Sequence, residues 1–360
     1  MTSCREEFWI DNHQLEPYQR QPKIIPTTAT VICPYSILFD DSIGTGSVNI
    51  TYSLNYEGPV VDGWPPDQDR YMPHYILPGQ NTFSIQPPPS YFKDCQLLVI
   101  VQSRRESLQE RQNIRDTWKH QATLHNACVI FIIGNSIGGT TTTIDDQISK
   151  EAHNHQDILQ ADMVDHYNNL TLKSVMMLKF STNESNFHDS MPPYYLMKTD
   201  DDSYVNVHQL LQLLHVKELE NSSFMIGHRW GTPKNPPTPK RDHKNKWFVP
   251  KYLFNGTSYP IFISGAGYIT TRTAVKCLYK KSLNLPYFFL EDVFMGFAAE
   301  NCRIPRYHCN AFHNYPIPFN DVKGTDILWT DFHENDMMFN MHHIVQNLTA
   351  MQPPCNTLPK

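Results

Sequence analysis

Tyr194-Tyr195-Leu196-Met197-Lys198-Thr199-Asp200-Asp201-Asp202-Ser203-Tyr204-Val205-Asn206 is an apolar run that breaks into three consecutive carboxylates and leads into an amphipathic segment, Val205 to Leu214. The run reads as a buried strand and the segment after it as a helix. In extended backbone, residues two apart share a face, so Asp200 and Asp202 point one way at the strand end and Asp201 another. An open α/β sheet keeps its ligand at such strand ends. Carboxylates there suit a hard divalent cation, Mn²⁺ or Mg²⁺, whose other positions take water and diphosphate oxygens. Alone, the triplet reads equally well as a solvated turn or a helix N-cap.

The surroundings supply the fold class. Leu97 to Val101, Val129 to Ile133 and Ile158 to Val164 read as strands. They alternate with helical patterns over Ser107 to Lys119, Ile144 to His153 and Leu170 to Phe180. Strand and helix alternating up to Asp200 predict a mostly parallel, Rossmann-like sheet flanked by helices on both faces. Beyond it come a strand at Phe224 to Gly227, a polar loop at Pro233 to Lys246 long enough to line a site or act as a lid, and strand and glycine turn over Tyr259 to Thr270. A helix over Thr271 to Tyr279 follows, and a second acidic signal, Leu290-Glu291-Asp292-Val293, opens another.

Residues 1–92 hold many of the 27 prolines, show strand-like alternation only at Val48 to Tyr56, and contain no convincing helix. They are expected to form a stem or an irregular extension packed on the main domain, with a small separate β module as the other reading. Residues 93–345 are the expected catalytic domain and 346–360 a tail.

The 360 residues are 40% hydrophobic, ample for a large core, and the formal charge of −6 with no long basic run argues against nucleic acid as a partner. Eight cysteines are widely spread without a C-x-x-C, which argues against a zinc ribbon. Six N-x-S/T sequons, at Asn49, Asn169, Asn183, Asn221, Asn255 and Asn347, tilt the balance towards a secretory-pathway lumen and disulfides. No apolar run reaches the roughly 18 residues of a membrane span, so membrane association is expected through an anchor not seen in this sequence.

Several blocks in order resemble the Golgi β-1,3-glycosyltransferase family, which holds β-1,3-galactosyl- and β-1,3-N-acetylglucosaminyltransferases. Arg111 to Trp118 resembles its R-x-x-I-R-x-T-W helix, and Tyr167 to Lys173 lies in its Y-x-N-L-T-L-K block. Lys198 to Asp202 is similar to its K-T-D-D-D, Lys246 to Val249 to its K-W-x-V, and Tyr259 to Tyr268 to its Y-P-x-x-x-S-G-x-G-Y. Glu291-Asp292-Val293 matches its E-D-V. The resemblance spans about residues 94 to 345.

It implies a glycosyltransferase A-type fold with a metal-binding D-x-D strand end, a UDP-sugar donor, Mn²⁺ or Mg²⁺ as cofactor, inversion at the anomeric carbon, and a Golgi-lumenal, type II membrane protein. The acceptor would be a glycolipid or glycoprotein glycan, and galactose is favoured over N-acetylglucosamine on family frequency. By position, Asp292 is the implied base, with Glu291 in that role instead or positioning the acceptor. The plain alternative is a pair of helix N-terminal acids facing the dipole. Asp202 is the implied metal ligand, joined by His333 from Thr330 to Met338, which resembles a late V-H-x-x-x-x-E-M stretch; His308, His313, His342 and His343 are rivals. Arg111, Arg115, Lys198, Asp200 and Asp201 would face the donor. The two arginines, four apart on one helix face, read equally as a solvated basic face or as packing. Trp247 would stack on an acceptor sugar or fill the core, and Gly265 and Gly267 would let backbone approach a ligand or make a turn.

Ile263 and Ala298 stand where many relatives have cysteines, which puts any disulfide pairing carried over from the family in doubt. The same fold also accommodates a non-catalytic lumenal carbohydrate-binding or partner subunit, or a nucleotide-sugar hydrolase.

Overall fold

The computed structural model describes residues 56–138, 143–187, 192–214, 222–330, 332 and 335–348, with two short paired strands ahead of them, β1 (Ser36–Ile37) and β2 (Val48–Asn49). An eight-stranded sheet organises the rest. In chain order its strands are β3 (Phe83–Ile85), β4 (Leu97–Gln102), β5 (Ala127–Asn135), β6 (Ile158–Val164), β7 (Tyr195–Asp200), β9 (Met225–Trp230), β10 (Phe262–Thr271) and β11 (Arg306–His308). In space they run β11-β9-β10-β7-β4-β5-β6-β3.

The predicted parallel core is present: β6, β5, β4 and β7 pair in parallel, in that spatial order. The chain lays down β4, β5 and β6 to one side, then returns to place β7 on the other side of β4. This reversal makes a crevice at the carboxyl ends of β4 and β7, where Gln102 is in register with Asp200. β10 enters antiparallel between β7 and β9, so β9 again runs in the direction of β7.

Every residue of β4 is buried. Leu98 and Ile100 enter one core, and Leu97, Val99 and Val101 the other, as the pleat demands of a strand covered on both faces. α5 (Leu170–Thr182) is buried from Thr171 to Ser181 and lies in the first core beside α7 (Arg272–Ser282) and α8 (Glu291–Asn301). α2 (Leu108–Ile114), α3 (His120–Thr123), α6 (Val207–Leu214) and α9 (Asn335–Asn347) cover the second core, with α4 (Thr143–His155) beside β6.

Two features depart from the local sequence pattern. The helix expected over Ser107 to Lys119 is interrupted: α2 passes into a π-helical turn, Arg115–Lys119, with Thr117 at φ −116° and ψ −108°. Ahead of Cys95, where no helix is expected, α1 (Met72–Ile76) forms with Pro73 in its first turn. Lys179 Nζ donates to the carbonyls of Ile76, Leu77 and Gln80, each at 2.8 Å, closing the helix end. The segment from Val61 to Phe92 is part of the first core, and β3 pairs with β6 at the sheet edge. Trp64 stacks on Tyr287 with ring centroids 3.2 Å apart and donates to Asn169 Oδ1.

Disulfides join Cys95 to Cys128 and Cys277 to Cys302, and Cys309 is disulfide-bonded too. Ile263 and Ala298, in place of the family's cysteines, are both buried in the first core.

Candidate active site

β7 delivers its carboxylates into the crevice, and Lys198, two residues before Asp200, shares their face. Lys198 is 2% exposed; its Nζ lies 2.6 Å from Asp200 Oδ1 and donates to the Gly265 carbonyl. Burial alone would depress this ammonium, but Asp200, Glu291 and Asp292 outweigh it and hold its pKa above the usual lysine value. Burial first, then Asp202 and Glu291, push the Asp200 carboxyl up to about 7 against the pull of Lys198.

Opposite stands the start of α8. Glu291 is buried, and its Oε1 accepts from Ser174 Oγ at 2.6 Å and Tyr268 OH at 3.0 Å. Ser174 in turn accepts from Gln102 Nε2 at 2.7 Å, so β4, α5, β10 and α8 meet on one carboxylate. Asp292 Oδ1 accepts from its neighbour Val293 N at 2.8 Å, and the carboxylate also accepts from Gly265 N. Burial, then the charge on Glu291, raise the Asp292 carboxyl to about 7. A Cβ on Gly265 would sit 3.1 Å from Glu291 Oε2 and 3.6 Å from Asp292 Cβ, so glycine leaves this approach open. The register of β10 against β9 shifts between Ile263 and Tyr268, so β10 bulges where it meets the site.

Asp201 Oδ2 turns away to accept from Ser103 Oγ at 2.8 Å and Arg104 N at 3.3 Å, clipping the loop after β4. Asp202 is partly exposed; its Oδ1 lies 3.4 Å from both Thr330 Oγ1 and Ser203 Oγ, and its carbonyl accepts from Phe332 N. Thr330 follows β12 (Leu328–Trp329), which pairs with β8 (Tyr204–Val205) just past the acidic turn.

The sequence model of the galactosyltransferase family matches residues 109–310, more than half of the chain. The chain belongs to the galactosyltransferase family. Beta-1,3-galactosyltransferase 5 of Mus musculus is 34% identical over 210 residues, which cover 58% of this chain and 64% of that protein, just under two thirds of its length. The Homo sapiens form is 33% identical over 217 residues, 59% of this chain and 66% of that protein. Beta-1,3-galactosyltransferase 1 of Mus musculus is 27% identical over 294 residues, 81% of this chain and 86% of that protein. A solved structure, 4-diphosphocytidyl-2C-methyl-D-erythritol synthase from Anaerococcus prevotii, aligns with a TM-score of 0.36 at 11% identity over 71% of this chain and 98% of that one, too loosely to argue from.

Of the galactosyltransferase residues singled out from sequence, Lys198, Asp200, Gly265, Glu291 and Asp292 come together. Others do not. Arg111 is fully buried, and all five of its N–H groups are taken: by Glu151 twice, by Ser103 Oγ and by the Arg104 and Arg105 carbonyls. It therefore shapes the loop that Asp201 clips rather than meeting a donor. Arg115 is held by Glu151 on α4 and by Asp157 just before the amino end of β6, away from the crevice. Trp118, on the same block, donates to the Ser203 carbonyl at 3.1 Å and so props the acidic turn. The R-x-x-I-R-x-T-W helix is a scaffold whose partners lie far along the chain. Gly267 is closed to any ligand, since a Cβ there would meet Leu328 at 2.4 Å.

Trp247 is 51% exposed on the loop after β9, with Lys246 Nζ 6.0 Å from its ring centre and 5.4 Å from that of Tyr167. His333 lies outside the described residues. Of its rivals, His342 Nδ1 is bonded to Tyr204 OH, His308 ends the edge strand β11, and His313 stacks on Trp329 with its Nε2 3.2 Å from Asp326. Among the described residues no three His, Cys, Asp or Glu side chains converge as a metal cage.

The sequence reading missed Ser174 and Gln102. Each is a polar residue in an otherwise apolar element, and that mismatch is the signal that marks them.

Because Arg111 and Glu151 are a buried bidentate pair, Arg111→Ala is expected to cost about 3–5 kcal/mol of stability by stranding the carboxylate. Arg111→Lys is expected to recover little, since an ammonium cannot match the planar fork. Thermal unfolding of the three proteins checks this; a change in Tm of under a degree or two would remove Arg111 from the scaffold.

Proposed function

We propose that the protein is an inverting, metal-dependent β-1,3-glycosyltransferase moving a hexose, galactose before N-acetylglucosamine, from a UDP-sugar to a glycan hydroxyl. The observation that carries this reading is the placement of Asp292 at the start of α8, meeting across Gly265 the Lys198 ammonium that pairs with Asp200; burial and the charge on Glu291 raise its carboxyl to about 7. A base works best with its pKa near the working pH. In the single step, the acceptor oxygen forms its bond to the sugar's anomeric carbon as the bond to UDP breaks with its electron pair. Asp292 takes the acceptor's proton. Glu291, fixed by Ser174 and Tyr268, keeps Asp292 basic through its charge. Trp247 offers an apolar ring face to the acceptor, and Lys198 balances the cluster of carboxylates.

Asp200 and Asp202 are the residues that would hold Mn²⁺ or Mg²⁺. Their fit rests on hard oxygen donors at the end of β7 and in the turn just after it, and on their mutual repulsion, which already raises the proton affinity of Asp200. Water and donor oxygens would complete such a site, together with His333 if the family pattern holds. When bound, the ion neutralises charge developing on the leaving diphosphate. The disulfides fit an oxidising compartment, and the Golgi lumen is the proposed one. No described helix is long and apolar enough to cross a membrane. The acceptor is proposed to be a glycolipid or glycoprotein glycan.

The test is transfer from a panel of UDP-sugars to simple galactosides, N-acetylglucosaminides and glucosides, with Mn²⁺ or with EDTA. One donor is expected to give product of inverted configuration, and EDTA to abolish it. Metal-dependent UDP binding with no transfer would replace the enzyme by a carbohydrate-binding or partner subunit, and release of free sugar would make it a hydrolase.

A further inference from the structure

Between Arg229 and Lys251 the chain carries seven lysines and arginines against one acid, Asp242, a net charge of +6 in a protein whose total is −6. Lys234, Lys240, Lys244, Lys246 and Lys251 are all exposed, and among the described residues no carboxylate pairs with any of them. Protein surfaces normally intersperse the two signs. A block of one sign draws partners of the other.

The segment has a fixed shape. Val249 N donates to the Lys240 carbonyl at 2.8 Å, and Tyr259 N to that of Pro237 at 2.7 Å. Arg241 donates to the carbonyls of Val249 at 2.7 Å and Gly256 at 2.8 Å, so its guanidinium serves the fold while the lysines remain exposed.

It also lies on the side of the sheet that carries Asp292. Along β7, Leu196 enters the first core, so Lys198 and Asp200 share that face. Val249, Leu253, Phe254 and Tyr259 belong to the same core, and Phe254 and Tyr259 pack on Phe297 of α8, the helix that Glu291 and Asp292 open. Burial pushes the Tyr259 phenol up, Arg241 pulls it back and Asp292 adds to the rise, so one ring feels both the basic segment and the carboxylate. On the other flank Lys246 Nζ stands over the exposed rings of Tyr167 and Trp247. Tyr167 lies just ahead of α5, seven residues before the Ser174 that donates to Glu291, roughly 10 Å along the helix axis. Asp202 contrasts with this: it contacts Thr330 and Phe332 and leads into Tyr204 and Val205, all on the side of the second core. The basic segment therefore flanks the base, where the acceptor must stand, and not the turn that would face the diphosphate. Carboxylates crowd the reacting end and repel an anion there. A sugar or two away, the same anion meets ammonium groups beside aromatic faces.

Resting on the transferase reading, we propose that residues 229–251 form an acceptor subsite for an acidic glycan. The terminal sugar offers its hydroxyl to Asp292, while a carboxylate or sulfate on a sugar behind it is held by Lys244 and Lys246 beside the Trp247 ring.

The test compares wild type with the double variant Lys244→Gln, Lys246→Gln and with Lys93→Gln, an exposed lysine ahead of the amino end of β4 and so at the far end of the sheet. The acceptors are a neutral disaccharide glycoside and two forms with the same terminal sugar, one with a carboxylate and one with a sulfate on the inner sugar. In wild type the better acidic form is expected to have a KM about tenfold below that of the neutral one, a gap that narrows as salt rises. The double variant is expected to close the gap, leaving kcat, the donor KM and the neutral KM unchanged, and the anion that gains more names the group recognised. Equal KM values for neutral and acidic acceptors in wild type, a gap unmoved in the double variant, or the same loss in Lys93→Gln would overturn the proposal. Binding to phosphatidylserine vesicles that the double variant loses, with no change on soluble acceptors, would also overturn it and make the segment a membrane contact. If wild type transfers nothing, calorimetric titration of the same acceptors decides separately. Binding that favours the acidic forms and weakens in the double variant upholds the subsite although the transferase reading fails, and no binding, or binding without that preference, removes it.

Discussion

Asp292→Asn is expected to lower kcat by two to four orders of magnitude, the range that a positioned general base supplies, while the KM for UDP-sugar stays close to wild type. The amide keeps the shape and an acceptor oxygen for Val293 N but cannot take a proton. In wild type the group's pKa of about 7 sets a pH limb. Below it the carboxyl is protonated and kcat/KM should fall about tenfold per pH unit; above it the rate should level off.

The same substitution carries an opposite sign for stability. A carboxyl whose folded pKa lies above its unfolded value of about 4 binds protons more tightly in the folded state, so its contribution to stability is present below pH 4 and lost as pH rises through 7. Asp292→Asn removes that loss, and Tm at pH 7.5 should rise by several degrees, with little change at pH 4. A variant that is both more stable and nearly inactive is the mark of a strained catalytic group. Retained activity, with the acid limb still in place, would take Asp292 out of the mechanism.

The second large effect is expected at the strand end. Asp202→Ala should cost roughly two to three orders of magnitude in transfer, the scale of losing one preorganised group that stabilises leaving-group charge. It should also weaken Mn²⁺-dependent UDP binding, which titration reads without turnover. Asp201→Asn makes the contrast: its carboxylate holds Ser103 and the Arg104 backbone, so the loss should fall on stability and on donor KM, and metal affinity should hold. If Asp201→Asn weakened metal binding as much as Asp202→Ala, the assignment of faces along the acidic turn would be wrong.

The parallel strands, the acidic turn and the E-D-V start of α8 were legible in the sequence because each is written in a local pattern: β-branched runs, period-two alternation, and acids at an element boundary. Longer-range matters were not. Arg111 and Arg115 share a helix face, as spacing requires, yet their direction is decided by Glu151 and Asp157 on other elements, which bury them as a scaffold. Gly265 and Gly267 look alike in the S-G-x-G-Y block, but one faces Glu291 and the other is filled by Leu328. The break at Thr117 and the short helix at Met72 likewise depend on contacts made after folding, such as Lys179 with the α1 carbonyls. Composition marks a Pro-rich extension up to about residue 92 without saying which of its residues pack; in the structure Val61, Trp64, Met72, Ile76 and Phe92 join the apolar core.

That docked segment bears on how the protein survives proteases. A cut before Val61 would release the folded body whole, with every described core residue still aboard. A cut between Gln80 and Pro89 would sever the backbone without separating the pieces at once, because Lys179, the Trp64–Tyr287 stack and the β3–β6 pairing hold from both sides. Proteolytic fragments that keep the fold should therefore begin upstream of residue 61, and nicked material should travel as one particle until it is denatured.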